Sequence, residues 1–537
     1  MTKLGNILSL VNEYSILRFE YTFKEGLRFH SAIFEPNMSL IKKLAGDTVI
    51  YGISSILPRL LQFLVGMTYI TYRFPNQENV GIYNILYAYA ALILTILLFR
   101  MDTAFFRYGR DQESSQRVFF TALIPVLFLS VVTCALVVWN SDSIARAMSY
   151  EDSPQYLRWF SYITCFDAIA AMFYARFRLD NRPLRFLFYR IANVLFTIFL
   201  TLTFLEVLPR LWPEALNFVN KLFTISREID YVFIANLIAS FFVLMAMIPE
   251  LRRVEFNFDK AIFKKLLNYS WPLVIVGLAG IISQSFSTPL QERWLSADIN
   301  FNRGQAGIYG SVAKLALLLN LFIVAFNYAA EPFFFNNSDK KESKAVYGQV
   351  AFLFTIVICL VSLGIVAYLD LIQFVIGSSY RGGLPIVPHL LFAFIFLGLY
   401  YNVSIWFKLS DNTKIGALIA LGGMSIMLLI NSILLPKLGI IASAYAALSC
   451  FAFMTTVAWW TGQKYYPIPY PVRDILQYLG LTAILVFGLS YLRNHTELPI
   501  WIFGSLAIVV YLGVTYLKDG ARLLEMIRGT NQEKKAE

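Results

Sequence analysis

Three ionisable side chains stand where water is scarce. Arg59 follows Pro58 inside an apolar run, Asp167 sits in the middle of the run 157–174, and Lys314 lies about two turns into the run 308–326, among apolar and small neighbours. A charge at membrane depth costs at least roughly 2.5–3.5 kcal/mol on insertion scales, so each of the three needs a role or a partner. Cations without a counter-charge in their own helix point to a cavity that receives an anion, with Arg59 and Lys314 supplying the positive field. Pro58 fits that reading, because a proline frees a backbone carbonyl and kinks helices that line cavities. Asp167 reads in two ways: as a coupling carboxylate exchanging a proton or a sodium ion, or as the partner of a cation on a neighbouring helix. Gln284, Asn320 and Asn431, at similar depth, read as hydrogen-bonding groups between helices.

A second set of polar residues falls at the ends of apolar runs. Arg293, between Glu292 and Trp294, is placed at the outer mouth, either to receive an anionic headgroup or to anchor its helix at the interface with Trp294. Asp102 and Glu331 close their runs on the opposite side and read either as a gate pairing with Arg100 or Lys340, or as interfacial charge. His389 reads as a hydrogen-bonded histidine. There is no glycine-rich loop ending in Gly-Lys-Ser/Thr, no His-Glu-x-x-His and no nucleophile elbow, which speaks against an enzyme, an ATP-driven pump and a bound cofactor. Cys134, Cys165, Cys359 and Cys450 lack metal-ligand spacing, and His30, His389 and His495 are scattered, so neither a zinc site nor a disulfide framework is expected.

The elements that must position these groups follow from composition. Of 537 residues, 58% are hydrophobic and 15% charged, against roughly a quarter charged in a soluble domain. Apolar windows of spanning length recur about fourteen times, joined by short connections. The net charge of +11 would suggest nucleic acid in a soluble protein. Here the basic residues sit in short loops beside apolar spans, and no nucleic-acid role is expected. If the N-terminus is cytoplasmic and fourteen spans alternate, Lys and Arg divide roughly three to one in favour of the cytoplasmic side, which predicts both termini inside. Residues 1–46 form the leading cytoplasmic segment. Its first part, 1–37, reads either as an amphipathic extension or as sequence upstream of a start at Met38.

The chain also repeats itself. Gly81-Ile82-Tyr83-Asn84 opens the second span and Gly307-Ile308-Tyr309-Gly310 the eighth. Each is followed by an apolar helix, an acidic residue and a Phe pair, at Asp102-Thr103-Ala104-Phe105-Phe106 and Glu331-Pro332-Phe333-Phe334. The spacing predicts two parallel six-helix bundles, 47–255 and 256–462, then helices 13 and 14 within 463–517 and a basic cytoplasmic tail, 518–537. That is an all-α polytopic membrane protein of a transporter plan, with substrate between the bundles near mid-membrane and access alternating.

The second copy carries a resemblance. Glu292-Arg293-Trp294-Leu295, Gly307-Ile308-Tyr309-Gly310, Lys314-Leu315-Ala316 and Tyr328-Ala329-Ala330-Glu331-Pro332-Phe333-Phe334-Phe335 resemble Wzx-like polysaccharide biosynthesis flippases. These belong to the multidrug/oligosaccharidyl-lipid/polysaccharide (MOP) superfamily. Lys43-Leu44-Ala45-Gly46-Asp47-Thr48 and Asp102-Thr103-Ala104-Phe105-Phe106-Arg107 agree, and the likeness runs from Met38 to about Trp460. It implies a MATE-like fold and movement of an undecaprenyl-pyrophosphate-linked oligosaccharide across a bacterial inner membrane. It also implies a V-shaped cavity with basic residues near the pyrophosphate, which agrees with the Arg59, Lys314 and Arg293 reading. A polysaccharide polymerase and glycosyltransferases are implied partners. Competing expectations are an ion-coupled multidrug exporter of the same superfamily, a lipid II flippase, and, from another class, an O-antigen polymerase or ligase. The exporter would favour an acidic cavity, and the enzyme a large periplasmic loop with catalytic Arg or His. Neither pattern is present.

Overall fold

Long apolar runs can cross a bilayer only if their backbone groups are bonded internally, and a helix does this within one segment. In a computed structural model of the chain, residues 57, 60–61, 63–109, 115–336, 343–410, 412–496 and 499–536 are described, all within one compact unit, Gly52–Glu537. The described residues form helices joined by turns, with no strand among them. In chain order, α1 is a π-helical stretch, Leu64–Tyr69, continued by Ile70–Arg73; α2 is Gln77–Leu98, α3 Met101–Tyr108 and α4 Ser115–Trp139. Then come α5 (Ser141–Ala147), α6 (Gln155–Leu179), α7 (Pro183–Leu202), α8 (Pro213–Phe223) and α9 (Asp230–Met247). They are followed by α10 (Lys260–Ser285), α11 (Ser287–Trp294), α12 (Ile299–Asn336), α13 (Ser343–Ala367) and α14 (Val387–Val403). Last are α15 (Thr413–Leu438), α16 (Ile441–Tyr465), α17 (Val472–His495) and α18 (Ile500–Ala536).

Twelve of the described helices are long and apolar enough to cross a membrane. The fourth expected span is α6, equally long but carrying Arg158, Asp167, Arg176 and Arg178; the first, 49–72, is described only in part. Two elements differ from their apolar windows. The eighth span is expected over 308–326, whereas α12 runs for 38 residues. Its polar lead is helical because Asp298 caps it, accepting from the backbone N–H of Asn300 at 2.9 Å and of Phe301 at 3.2 Å. The half-apolar connection after α7 holds the amphipathic helix α8, whose Phe218 and Leu222 are exposed beside Trp212.

Helices α2, α4, α6, α7 and α9 pack on one another; so do α10, α12, α14, α15 and α16. Helix α13 packs on α12 and α14 and also carries the pair α17 and α18. The longest seam between the two sets is α2 against α12, and it is built on glycine. A Cβ on Gly81 would lie 1.8 Å from the Arg303 carbonyl oxygen, and one on Gly307 would lie 2.1 Å from that of Gln77. Each contact lands four residues before the other helix's glycine. The two copies of the repeat thus meet each other reciprocally, backbone to backbone, as helices with small residues at the interface do.

Candidate functional site

Gly307, Gly310 and Lys314 follow at i, i+3 and i+7, so they share the face of α12 turned to α2. Lys314 lies midway along the apolar part of α12, 299–327. Its ammonium sits 5.1 Å from the centre of the Tyr83 ring on α2. Among the described residues no carboxylate pairs with it, and its side chain is only partly covered although it lies deep among the helices. A cation–π contact softens the cost of the buried ammonium by about 0.5–2 kcal/mol, well short of what an ion pair with hydrogen bonds would do. The amine therefore remains available to an anion.

Tyr83 leads on to the second intramembrane charge. Its ring lies 4.6 Å from that of Tyr87, one turn along α2. The Tyr87 hydroxyl accepts from the Asn236 side chain of α9 at 2.8 Å. Asp167, at the middle of α6, lies within electrostatic range of Tyr87 and of Arg190 on α7. Arg190 in turn lies over the Tyr174 ring, 4.5 Å from its centre. Between α1, α2, α7 and α9 opens a small cleft, with a cavity volume of about 70 Å³, whose walls include Tyr69, Tyr83, Tyr87, Asn193, Thr197 and Asn236. At its far end the Tyr69 hydroxyl donates to Glu206 at 2.7 Å, and Glu206 is also paired with Arg73 and Arg210. The π-helical turns at Leu64–Tyr69 and Thr203–Val207 aim these two side chains at each other.

The end of the molecule that carries 72–76 is closed across the seam. Tyr72 donates to the Phe374 carbonyl at 2.8 Å, Gly377 N–H donates to Thr71 Oγ1 at 3.0 Å, and Tyr380 donates to the Phe74 carbonyl. Gln77 Nε2 donates to the Ser379 carbonyl at 2.6 Å. The mirror contact comes from α12: Arg303 Nη2 donates to the Ser149 carbonyl at 2.7 Å and its guanidinium lies 4.0 Å from the Tyr150 ring centre. Arg303 is held by Glu292, whose carboxylate accepts from Nε at 2.8 Å, and both are buried. Burial pushes the Tyr150 hydroxyl well above its ordinary range, with Glu292 adding to the rise, so this ring stays neutral under the guanidinium.

The remaining predicted residues fall elsewhere. Arg59 and the Glu331 side chain lie outside the described residues. Arg293 is at the latched end, exposed, donating to the Ala147 carbonyl at 2.7 Å, and is not gathered with Lys314. Asp102 contacts Thr103 at 3.4 Å and forms no ion pair among the described residues; Arg100 packs against Gly277 of α10 instead, and Lys340 is not described. Asn431 fits the hydrogen-bonding role, accepting from Ser443 at 2.8 Å. Sequence reasoning missed Arg303. Its signal was a basic residue four positions before Gly307, matching Gln77 before Gly81, with a carboxylate one short helix upstream.

No family model matches the chain, and no curated protein sequence matches it. Solved structures do. A structure described as the lipid II flippase MurJ in an inward closed conformation superposes with a TM-score of 0.66 at 14% identity, covering 87% of this chain and 99% of that one. An outward-facing multidrug-resistance MATE family transporter of the MOP superfamily superposes with a TM-score of 0.56 at 13% identity, covering 78% and 93%. The Vibrio cholerae MATE transporter VcmN in the bent form gives 0.50 at 12% identity, covering 81% and 99%. At these identities the likeness concerns architecture: the chain is an all-helical membrane protein with the fold shared by this flippase and the MATE transporters of the MOP superfamily.

Proposed function

We propose that the chain is a flippase for undecaprenyl-pyrophosphate-linked oligosaccharides, delivering polysaccharide repeat units across a bacterial inner membrane by alternating access. The observation that carries this reading is Lys314, a mid-membrane cation on the α2–α12 seam with no carboxylate partner among the described residues. An exporter of cationic drugs would be repelled by such a group, whereas a pyrophosphate would satisfy it. Arg59 and Arg293 join Lys314 in the proposed substrate set, with Arg293 meeting the headgroup at the exit. The bundles 47–255 and 256–462 rock about the glycine seam. The end carrying 72–76 is periplasmic, as the charge asymmetry of the loops favours, with both termini cytoplasmic. The latched arrangement is then a state closed toward the periplasm. Asp167, reached from Lys314 through Tyr83 and Tyr87, exchanges the coupling proton or sodium ion. Asp102 and Glu331 are gating residues at the cytoplasmic rim, and a polymerase and glycosyltransferases act on either side of the step.

A lipid II flippase is the second reading, favoured by the extent of superposition on MurJ; both cargoes present a polyprenyl pyrophosphate. Deletion of the gene separates the readings. Loss of surface glycan, with undecaprenyl-linked repeat units accumulating inside and no rescue by normally expressed Lys314→Ala or Arg59→Ala, supports the oligosaccharide flippase. Arrest of peptidoglycan synthesis selects the lipid II reading. Unchanged glycan with new drug sensitivity makes the chain a multidrug exporter.

A further inference from the structure

A second pocket lies at the latched end, away from Lys314, where α13, α14, α16, α17 and α18 end around the connection 368–386. It is open to its surroundings, with a cavity volume of about 540 Å³. Its lining combines the polar side chains of Gln373, Arg381, His389 and Arg493 with the apolar ones of Val366, Leu369, Leu384, Ile441, Leu489 and Ile500. Around it Leu371, Phe374, Tyr491 and Trp501 are exposed, so its surroundings belong to the lipid-facing belt of the helix ends.

The charges are arranged rather than scattered. Arg493 is fixed by Asp370 at 2.9 Å and by Gln373 at 3.3 Å. Arg381 is fixed by the Ile376 carbonyl, by the Tyr72 hydroxyl at 3.2 Å and by the Phe374 ring beneath it. His389 lies between the Tyr445 and Phe487 rings, and its Nδ1 is buried without a hydrogen-bond partner among the described residues. Two guanidinium groups against one carboxylate leave the pocket one positive charge in excess. One excess positive charge matches a phosphodiester, which carries one negative charge, better than a dianionic monoester or a pyrophosphate. Apolar lining beside the two guanidinium groups matches a ligand with chains attached.

We propose that this pocket holds the phosphodiester headgroup of an anionic phospholipid in the leaflet at the latched end, with the acyl chains against the apolar lining. The occupant is a resident lipid and is distinct from the cargo proposed to meet Lys314. Because 373–381 supplies Gln373 and Arg381 to the pocket and also the bonds to Tyr72 and Gln77, lipid in the pocket braces the loop that closes the seam.

The test is retention of lipid by the purified, delipidated full chain, read by native mass spectrometry with equal amounts of phosphatidylglycerol and phosphatidylcholine bearing the same acyl chains. About ten-fold preference for phosphatidylglycerol is expected, the effect of one charge-assisted hydrogen bond set lost or gained. Arg493→Gln and Arg381→Gln should each remove about that preference. Arg493→Gln removes the partner of the partly exposed Asp370 and one bond to Gln373, so its fold, checked by melting temperature, should hold. Arg158→Gln, at a separate surface ion pair with Asp142, should leave the preference intact. Equal retention of the two lipids, or full preference in both arginine variants, overturns the site. Displacement of phosphatidylglycerol by an equal concentration of glycerophosphoglycerol overturns the lipid assignment in favour of a soluble phosphodiester.

Discussion

Arg303 is the charged half of the latch, and its removal should open the seam by an amount that can be worked out. Its bond to the Ser149 carbonyl is charge-assisted, worth about 1.5–3 kcal/mol, and its contact with Tyr150 adds about 0.5–2 kcal/mol. Both cross the seam, so both are lost on opening. Arg303→Met therefore weakens the latched state relative to the open one by roughly 2–5 kcal/mol, a shift of at least about 30-fold in the open-to-latched ratio. A second effect has the same sign. Glu292, 1% exposed, is left with a buried charge in the single variant, and opening lets water reach it. Glu292→Met/Arg303→Met removes that part while keeping the loss of the seam bonds, so its shift should be smaller than the single variant's and still favour opening. Spin labels at Ser143 and Ser378, exposed on opposite sides of the seam, report the change as a longer-distance population in double electron–electron resonance. Cys134 is replaced, because it is the free cysteine that is not buried. An unchanged distance distribution in Arg303→Met, in protein of native melting behaviour, would refute the latch and leave Arg303 a structural residue of one half.

Two further outcomes follow from the same geometry. Gly307→Ala places a Cβ 2.1 Å from the Gln77 carbonyl and should destabilise the protein by about 1–3 kcal/mol or more, read as a lowered melting temperature in detergent. Gly280→Ala, where a Cβ meets nothing within 4 Å, should be neutral or stabilising. Asp167→Asn keeps the shape of the side chain but removes its charge. In proteoliposomes under an imposed proton or sodium gradient, transport by this variant should no longer respond to the gradient; a wild-type response would assign the coupling elsewhere.

The fold was legible because its signals are long. A run such as 118–138 has no other stable state in a bilayer than a helix, and the paired Gly-Ile-Tyr segments marked the two helices that meet. Lys314 was legible for an energetic reason, since a lone cation in an apolar helix demands an explanation. Its companions were not. Tyr83, Tyr87 and Asn236 are ordinary membrane residues, and only the packing of α2 on α9 and α12 brings them into one line. The windows also erred at the polar ends, where capping by Asp298 starts α12 at Ile299, about two and a half turns ahead of the expected window at 308.

The latch explains why the two copies had to stay similar at one place and diverge at another. Gln77 and Arg303 each stand four residues before a seam glycine, and each reaches the carbonyl of a serine, Ser379 or Ser149, in a loop of the opposite half. Closing the end thus requires the same contact twice, related by an axis along the seam, and losing one glycine would spoil both. One copy uses a neutral amide and the other a guanidinium that must be balanced by the buried Glu292. Of this matched pair, opening breaks one weak contact and one strong one, beside the bonds made by Tyr72, Gly377 and Tyr380. The same asymmetry recurs at mid-membrane. Seven residues after Gly307 stands Lys314; seven after Gly81 stands Ala88, buried and apolar. A scaffold of matched helices provides the seam about which the proposed rocking would turn, and a single unmatched cation gives it the side proposed to meet an anion.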